Sequence, residues 1–249
     1  MKIIVVSNQK GGVGKTTLSV HIAFYALENN IKTLFVDCDP QSDSSRTLAA
    51  HATVKGKSSD LFFKESNHYI ANSDAGKLDL FMGDERLREV NTGGGLLRDN
   101  LKKLSNNYDL CVIDTPTAWA LQSAAFGCTD FVVLPIELAS FSVEGVGTSL
   151  DDLSKFQEGS NPTLQFLGIL PNRVQKTNKA QRNMLEDLQV NYADQLLGDS
   201  LYISERAVVR EATDRGIPVW KLEKKSARDG AAEMLAVVGS IFSQMGALK

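Results

Sequence analysis

Several things are scarce in this 249-residue chain, and each scarcity excludes something. It has three cysteines, Cys38, Cys111 and Cys128, an odd number with no CxxC spacing, so neither a disulfide framework nor a cysteine-built metal site is indicated. Their apolar neighbours mark them as reduced core thiols, which suits the cytoplasm. The three histidines, His21, His51 and His68, add no zinc ligand set. Apolar runs are short: Ile3 to Val6 is four residues and leads straight into a glycine-rich turn, too short for a signal-peptide core. No stretch is long enough to span a bilayer, so stable membrane insertion is not expected. The formal net charge is −3, which rules out a uniformly basic coat, and any affinity for polyanions has to be local.

What remains is ordinary for a globular protein. Hydrophobic residues make up 43% and charged residues 23%, and the length allows one large α/β domain over 1–249 with a substantial core.

The densest chemistry lies at residues 2–17, KIIVVSNQKGGVGKTT. A β-rich run is followed by Gly11, Gly12 and Gly14, and helical periodicity then begins at Leu18, Ile22 and Ala26. Glycines let backbone N–H groups approach phosphate oxygens, and the helix that follows adds the positive end of its dipole. The loop Gly11, Gly12, Val13, Gly14, Lys15, Thr16 and Thr17 is therefore a candidate phosphate cradle. Lys15 would neutralise the phosphates, and the Thr16 hydroxyl would hold Mg²⁺.

Further along, residues 32–37 read as a buried parallel strand running into Asp37-Cys38-Asp39-Pro40. Acids where parallel strands end lie on the ligand-binding edge of such a sheet, although an Asp before Pro is equally a turn starter. Residues 109–116 form an apolar strand ending in Asp114, the Walker B pattern, which can hold Mg²⁺ through a water opposite Thr16. More buried strands follow near 130–135 and 164–171, with a helix between them over about 143–157 and a last packing helix over 226–246. The βαβα alternation predicts a mostly parallel twisted sheet with helices on both faces. Residues 42–76 are polar, with short helices conceivable near 43–50 and 58–63. The three glycines 93–95 read as a hinge or helix start, with a phosphate nest as the alternative. Asn172 and Pro218 close two later segments, and Asn172 serves equally well as an ordinary turn residue.

Charge is uneven. Residues 173–182 carry four basic side chains and no acid, and residues 203–228 carry seven basic against four acidic. This is either a basic face in the C-terminal third or a solvated surface with local ion pairs.

Lys10-Gly-Gly-Val-Gly-Lys-Thr, with Gln9 where the common phosphate loop has its first glycine, resembles the deviant Walker A motif of the ParA/MinD family. Asp37-Cys-Asp-Pro-Gln and the strand ending at Asp114 resemble the same family, and the likeness runs from residue 2 to about 245. It implies a P-loop NTPase fold and hydrolysis of ATP with Mg²⁺. It also implies an ATP-bound homodimer in which Lys10 reaches the partner's nucleotide, with Asp39 orienting water and Asp37 supporting the Mg²⁺ outer shell. Asn172 and the backbone near Pro218 would line the adenine pocket. Short ParA-type partition ATPases of this class, without an added N-terminal helix-turn-helix, bind double-stranded DNA nonspecifically. They associate with the nucleoid and are released by a ParB-like centromere-binding partner. The regional match nominates Lys176, Arg206, Arg210, Lys224, Lys225 and Arg228 for DNA. A MinD-like membrane positioner is the rival, though residues 243–249 carry a single basic side chain. A ParA-like positioner of protein cargo has the same motifs. A nitrogenase-type iron protein is set aside for want of paired cysteines. Thr117-Ala118-Trp119 departs from the proline that the family often places after its Walker B segment.

Overall fold

The computed structural model describes residues 1–63, 77–91, 95–138, 143–198 and 201–246; the glycine pair 93–94 of the candidate nest, His68 and the tail 247–249 lie outside them. Seven strands form one sheet: β1 (Lys2–Val6), β2 (Thr33–Asp37), β3 (Thr53–Lys57), β4 (Leu78–Met82), β5 (Leu110–Asp114), β6 (Phe131–Glu137) and β7 (Gln165–Asn172). Their order is β3-β4-β2-β5-β1-β6-β7, and every pairing is parallel.

The reason is visible in the residues. β1, β2 and β5 carry continuous apolar runs (Ile3–Val6, Leu34–Val36 and Leu110–Ile113), so both faces of each strand need cover. Successive residues pack to opposite sides: Ile4, Val6, Phe35, Leu110 and Val112 join one cluster, and Val5, Leu34, Val36, Cys111 and Ile113 the other. The first cluster is closed by α1 (Lys15–Glu28), α2 (Asp43–Leu48), α8 (Ala207–Asp214) and α9 (Arg228–Met245). The second is closed mainly by α3 (Ser58–Phe63), α4 (Gly95–Leu104) and α5 (Trp119–Phe126). α6 (Val143–Glu158) and α7 (Lys179–Asn191) cover the β6–β7 end, where Val146, Leu188 and Ile169 form a third cluster.

α1 is the most enclosed of these helices. Leu18 through Phe24 are buried without a break, because α2, α8 and α9 pack around the side turned away from the sheet. The helix that follows the glycine loop is thus a fixed platform. The loop leaves β1, which lies between β5 and β6, so the strand order switches sides at the point where the glycines sit.

β3 is an addition to what the sequence suggested. It is an edge strand, partly exposed and irregular between Val54 and Gly56, and among the described residues it pairs only with β4. The thiols fit the core reading: Cys38 and Cys111 are buried, and burial pushes the Cys128 thiol up to about 12.

Candidate nucleotide and metal site

Residues 7–14 leave β1 as a loop that folds over the N-terminus of α1. Gly12 and Gly14 adopt φ of 78° and 93°, the left-handed region that glycine tolerates. A side chain at Gly14 would overlap the Asn172 amide, whose Nδ2 donates to the Val13 carbonyl at 2.7 Å. Asn8 ties down the other side, accepting from the Lys10 N–H at 2.8 Å and donating to the Pro135 carbonyl at 2.9 Å. Gln122 of α5 donates to the Asn8 carbonyl at 3.0 Å. The loop is therefore held from β6, β7 and α5 together.

Lys15 is 7% exposed, and its Nζ donates to the Lys10 carbonyl at 2.9 Å. Burial lowers its pKa, while Asp114 and Asp39 raise it. The ammonium thus sits in a dry cradle with acids nearby, ready to meet a polyanion. Lys10 itself is exposed at the outer edge of the loop.

Asp114 ends β5 and is paired in register with both Val6 of β1 and Asp37 of β2. It is fully buried. Burial first, and then the charge of Asp37, raise its pKa to about 7; the hydroxyls of Thr16, Ser19 and Ser44 pull the other way. Ser19 donates to Oδ1 at 3.1 Å, whereas Oδ2 has no hydrogen bond. A buried carboxylate oxygen without a donor, beside the Thr16 hydroxyl, is a hard-oxygen pair suited to Mg²⁺, which needs few protein ligands when phosphates and water supply the rest. No group of three or more His, Cys, Asp or Glu side chains is clustered for a metal among the described residues.

Asp37 and Asp39 divide their work. Both Asp37 oxygens are engaged by the following turn: Oδ1 accepts from the Asp39 N–H at 3.0 Å and Oδ2 from the Ser45 N–H at 2.9 Å. Burial raises its pKa. Asp37 thus shapes the segment that presents Asp39. Asp39 is half-buried, and its Oδ1 accepts from the Gln41 N–H at 2.8 Å. Gly83 lets this turn approach β4, since a side chain there would run into the Asp39 carbonyl.

A cleft of about 1200 Å³ opens from the loop, lined by Gly12, Gly14, Thr16, Thr17 and Asn172 at one end and by α2 and α8 at the other. Asn172 is therefore brought to the loop. Pro218 is not among the lining residues; it is buried just before a 3₁₀ turn whose Val219 N–H is held by His21 Nε2 at 3.1 Å.

The six basic candidates separate into two groups. Lys176 and Arg206 both pair with Glu233 of α9, at 3.2 and 3.5 Å, and Arg206 also with Asp229. Lys224 pairs with Glu211 at 2.5 Å. Arg210, Lys225 and Arg228 are exposed and have no ion pair among the described residues. The site also contains residues that sequence reasoning passed over. Asn8 lies within the quoted stretch 2–17 but before the nominated loop, Ser19 lies two residues beyond it, and Arg173 reaches the loop, with Glu205 behind it, only through the fold.

A glycine loop between the first parallel strand and a buried helix, faced by an acid at the end of the neighbouring strand, defines a P-loop nucleotide-binding α/β protein. The chain belongs to the ParA/MinD family of such ATPases: the AAA domain family model matches residues 1–166. It is 31% identical over 270 residues to Protein IncC of Escherichia coli, covering 98% of this chain and 70% of that protein. It is 25% identical to the chromosome-partitioning ATPase Soj of Treponema pallidum, over 94% of this chain and 95% of that one. Among solved structures, a Cyanothece McdA–ATP complex superposes with a TM-score of 0.80 at 23% identity, covering 97% of this chain and 96% of that chain. No helix among the described residues is long and apolar enough to cross a membrane.

Proposed function

We propose that the chain is an Mg²⁺-dependent ATPase that segregates DNA, alternating between a monomer and an ATP-bound homodimer that binds double-stranded DNA without sequence preference. The observation that carries the enzymatic half is the juxtaposition of the Gly11–Thr17 loop and Lys15 with the donor-free carboxylate oxygen of Asp114.

The loop N–H groups and Lys15 hold the β- and γ-phosphates, and the enclosed α1 directs its N-terminus at them. The Thr16 hydroxyl and the Asp114 carboxylate would hold Mg²⁺, which would supply charge neutralisation at the phosphates. Lys10, exposed on the loop rim, reaches the nucleotide of a second copy, so the site is complete only in the dimer. Asp39, presented by the Asp37-braced turn, orients the attacking water. Asn172, bonded to the Val13 carbonyl, lines the base side of the cleft.

The DNA-binding half draws on the partition role named for the Treponema pallidum relative and on the basic side chains of the C-terminal third. Lys225 and Arg228 are exposed and form no ion pair among the described residues, and Arg210 is exposed with only a longer-range attraction to Glu205, so these three provide the most available positive charge. Lys176, Arg206 and Lys224 contribute once phosphates compete with Glu233 and Glu211. A ParB-like protein bound at a centromere stimulates hydrolysis and returns monomers to the cytoplasm, leaving the DNA-bound population on the nucleoid.

Fluorescence anisotropy on random-sequence duplex DNA, with Mg-ATP, Mg-ADP or no nucleotide and across a salt series, tests this reading. Salt-sensitive binding confined to ATP is the expected result. ATP-dependent dimers that ignore DNA at every salt concentration would refute the DNA half and move the matrix to a membrane or protein surface.

A further inference from the structure

Arg173 follows the last residue of β7 and has no role in the machinery described so far. Its backbone lies at φ 54°, in the left-handed region that non-glycine residues seldom occupy. The surrounding hydrogen bonds hold it there: Asn172 Oδ1 accepts from the Arg173 N–H at 2.9 Å, the Val174 N–H donates to the Ile203 carbonyl at 3.0 Å, and the Glu205 N–H donates to the Val174 carbonyl at 3.1 Å.

This backbone turn aims the guanidinium at the phosphate loop. Nη1 donates to the Gly12 carbonyl at 3.3 Å and stands 3.3 Å from Glu137 at the end of β6. Nη2 pairs with Glu205 at 2.8 Å, and the other Glu205 oxygen accepts from Gln175 at 2.6 Å. One planar cation thus bridges the loop, the end of β6 and the segment leading into α8, the helix that carries Arg210 into the cleft. Arg173 itself is half-buried and lines that cleft with Gly12, Gly14, Thr16 and Thr17.

We propose that Arg173 is a positioning residue that couples phosphate occupancy of the loop to the placement of residues 203–211. The proposal rests on the reading of the loop as a nucleoside triphosphate site. A polyphosphate on the Gly11–Thr17 amides brings several negative charges beside a guanidinium whose charge is already divided between two carboxylates. It competes best with Glu205, the exposed partner on a loop, and least with Glu137, which is fixed at a strand end. As Arg173 turns to the phosphates, the Glu205 tether loosens and the start of α8 is free to move, taking Arg206 and Arg210 with it. The nucleotide state is thereby passed to the basic surface within a single protomer, before any second copy binds.

The experiment is hydrogen–deuterium exchange of the full chain with and without a non-hydrolysable Mg-ATP analogue, with analogue binding measured in parallel by titration. In the wild type, exchange across 203–211 should change by about threefold or more on binding. Arg173→Ala should bind the analogue within roughly tenfold of wild type but lose that change, and Arg173→Lys should restore part of it. Glu205→Gln, which keeps the shape and removes the competing charge, should show the bound-like exchange pattern without analogue. Wild-type binding with no change at 203–211, or an undiminished change in Arg173→Ala, overturns the coupling while leaving the nucleotide site intact. Failure of the wild type to bind the analogue overturns both.

Discussion

Replacing Gly14 by alanine, alone and together with Asn172→Ala, probes how the phosphate loop is held in shape. Gly14 sits at φ 93°, and a left-handed backbone costs a non-glycine residue about 1–2 kcal/mol. The added methyl also displaces the Asn172 amide, whose bond to the Val13 carbonyl contributes about 1 kcal/mol. Gly14→Ala should therefore lower the unfolding free energy by roughly 2–3 kcal/mol, and Asn172→Ala by roughly 1–2 kcal/mol because it leaves a buried carbonyl without its donor. In the double variant the overlap is gone and the lost bond counts only once. Its destabilisation should match that of Gly14→Ala alone, a coupling of about 1–2 kcal/mol by double-mutant cycle. Urea unfolding of the four proteins measures each term, and nucleotide titration should show the binding loss following Gly14→Ala in both backgrounds. Costs that add to within about 0.5 kcal/mol would show that Asn172 does not brace this turn.

Acid lability should be traceable to His21. This residue is fully buried, its Nδ1 facing the Thr17 carbonyl at 2.7 Å and its Nε2 accepting from Val219, and burial pushes its pKa down to about 4. The unfolded chain binds this proton near pH 6.5 and the folded one only near 4, so the His21 contribution to stability is lost as pH falls through that window, amounting to roughly 3 kcal/mol. Asp114, whose pKa is raised, acts in the opposite direction, so the check is the difference in unfolding free energy between wild type and His21→Gln at each pH. Lys10→Ala should leave ATP binding by the monomer intact and reduce partner-stimulated phosphate release by roughly 10³-fold or more, as loss of a trans cation does in related chemistry. Asp39→Ala should accumulate an ATP dimer that still binds DNA, and rapid turnover by that variant would remove Asp39 from its role. On DNA, Lys225→Ala and Arg228→Ala should each reduce the salt slope by about 0.9, whereas Lys176→Ala should change it less, because Glu233 already shares that charge.

The core of the site was legible before any coordinates. Gly12, Gly14, Lys15 and Thr16 are adjacent in the chain, and their chemistry follows from residue type and spacing, as does an acid closing an apolar strand at Asp114. The alternation of buried strands with helical periodicity likewise carries a parallel sheet, because such strands must be apolar on both faces. β3 was not legible: Thr-Val-Lys-Gly-Lys has one strong apolar residue, and it becomes a strand only because β4 offers a free edge. Nor could the sequence reveal that Asp79, inside β4, is fully buried, its Oδ2 met by Tyr108 at 2.7 Å and Lys55 at 3.2 Å while its Oδ1 has no hydrogen bond.

Local pattern therefore determined which residues are candidates to meet phosphate and metal, because those groups would act through the backbone they sit on. Tertiary structure decided which charges are free. Glu233 lies 57 residues from Lys176 in sequence and Glu205 lies 32 from Arg173, so a basic count cannot distinguish a neutralised cation from an available one. It also placed Asp37 beside Asp114 across two strands separated by 77 positions, and raised the pKa of Asp114 by removing water from around both. Coulomb energy and desolvation depend on distance in space, and the fold alone sets that distance.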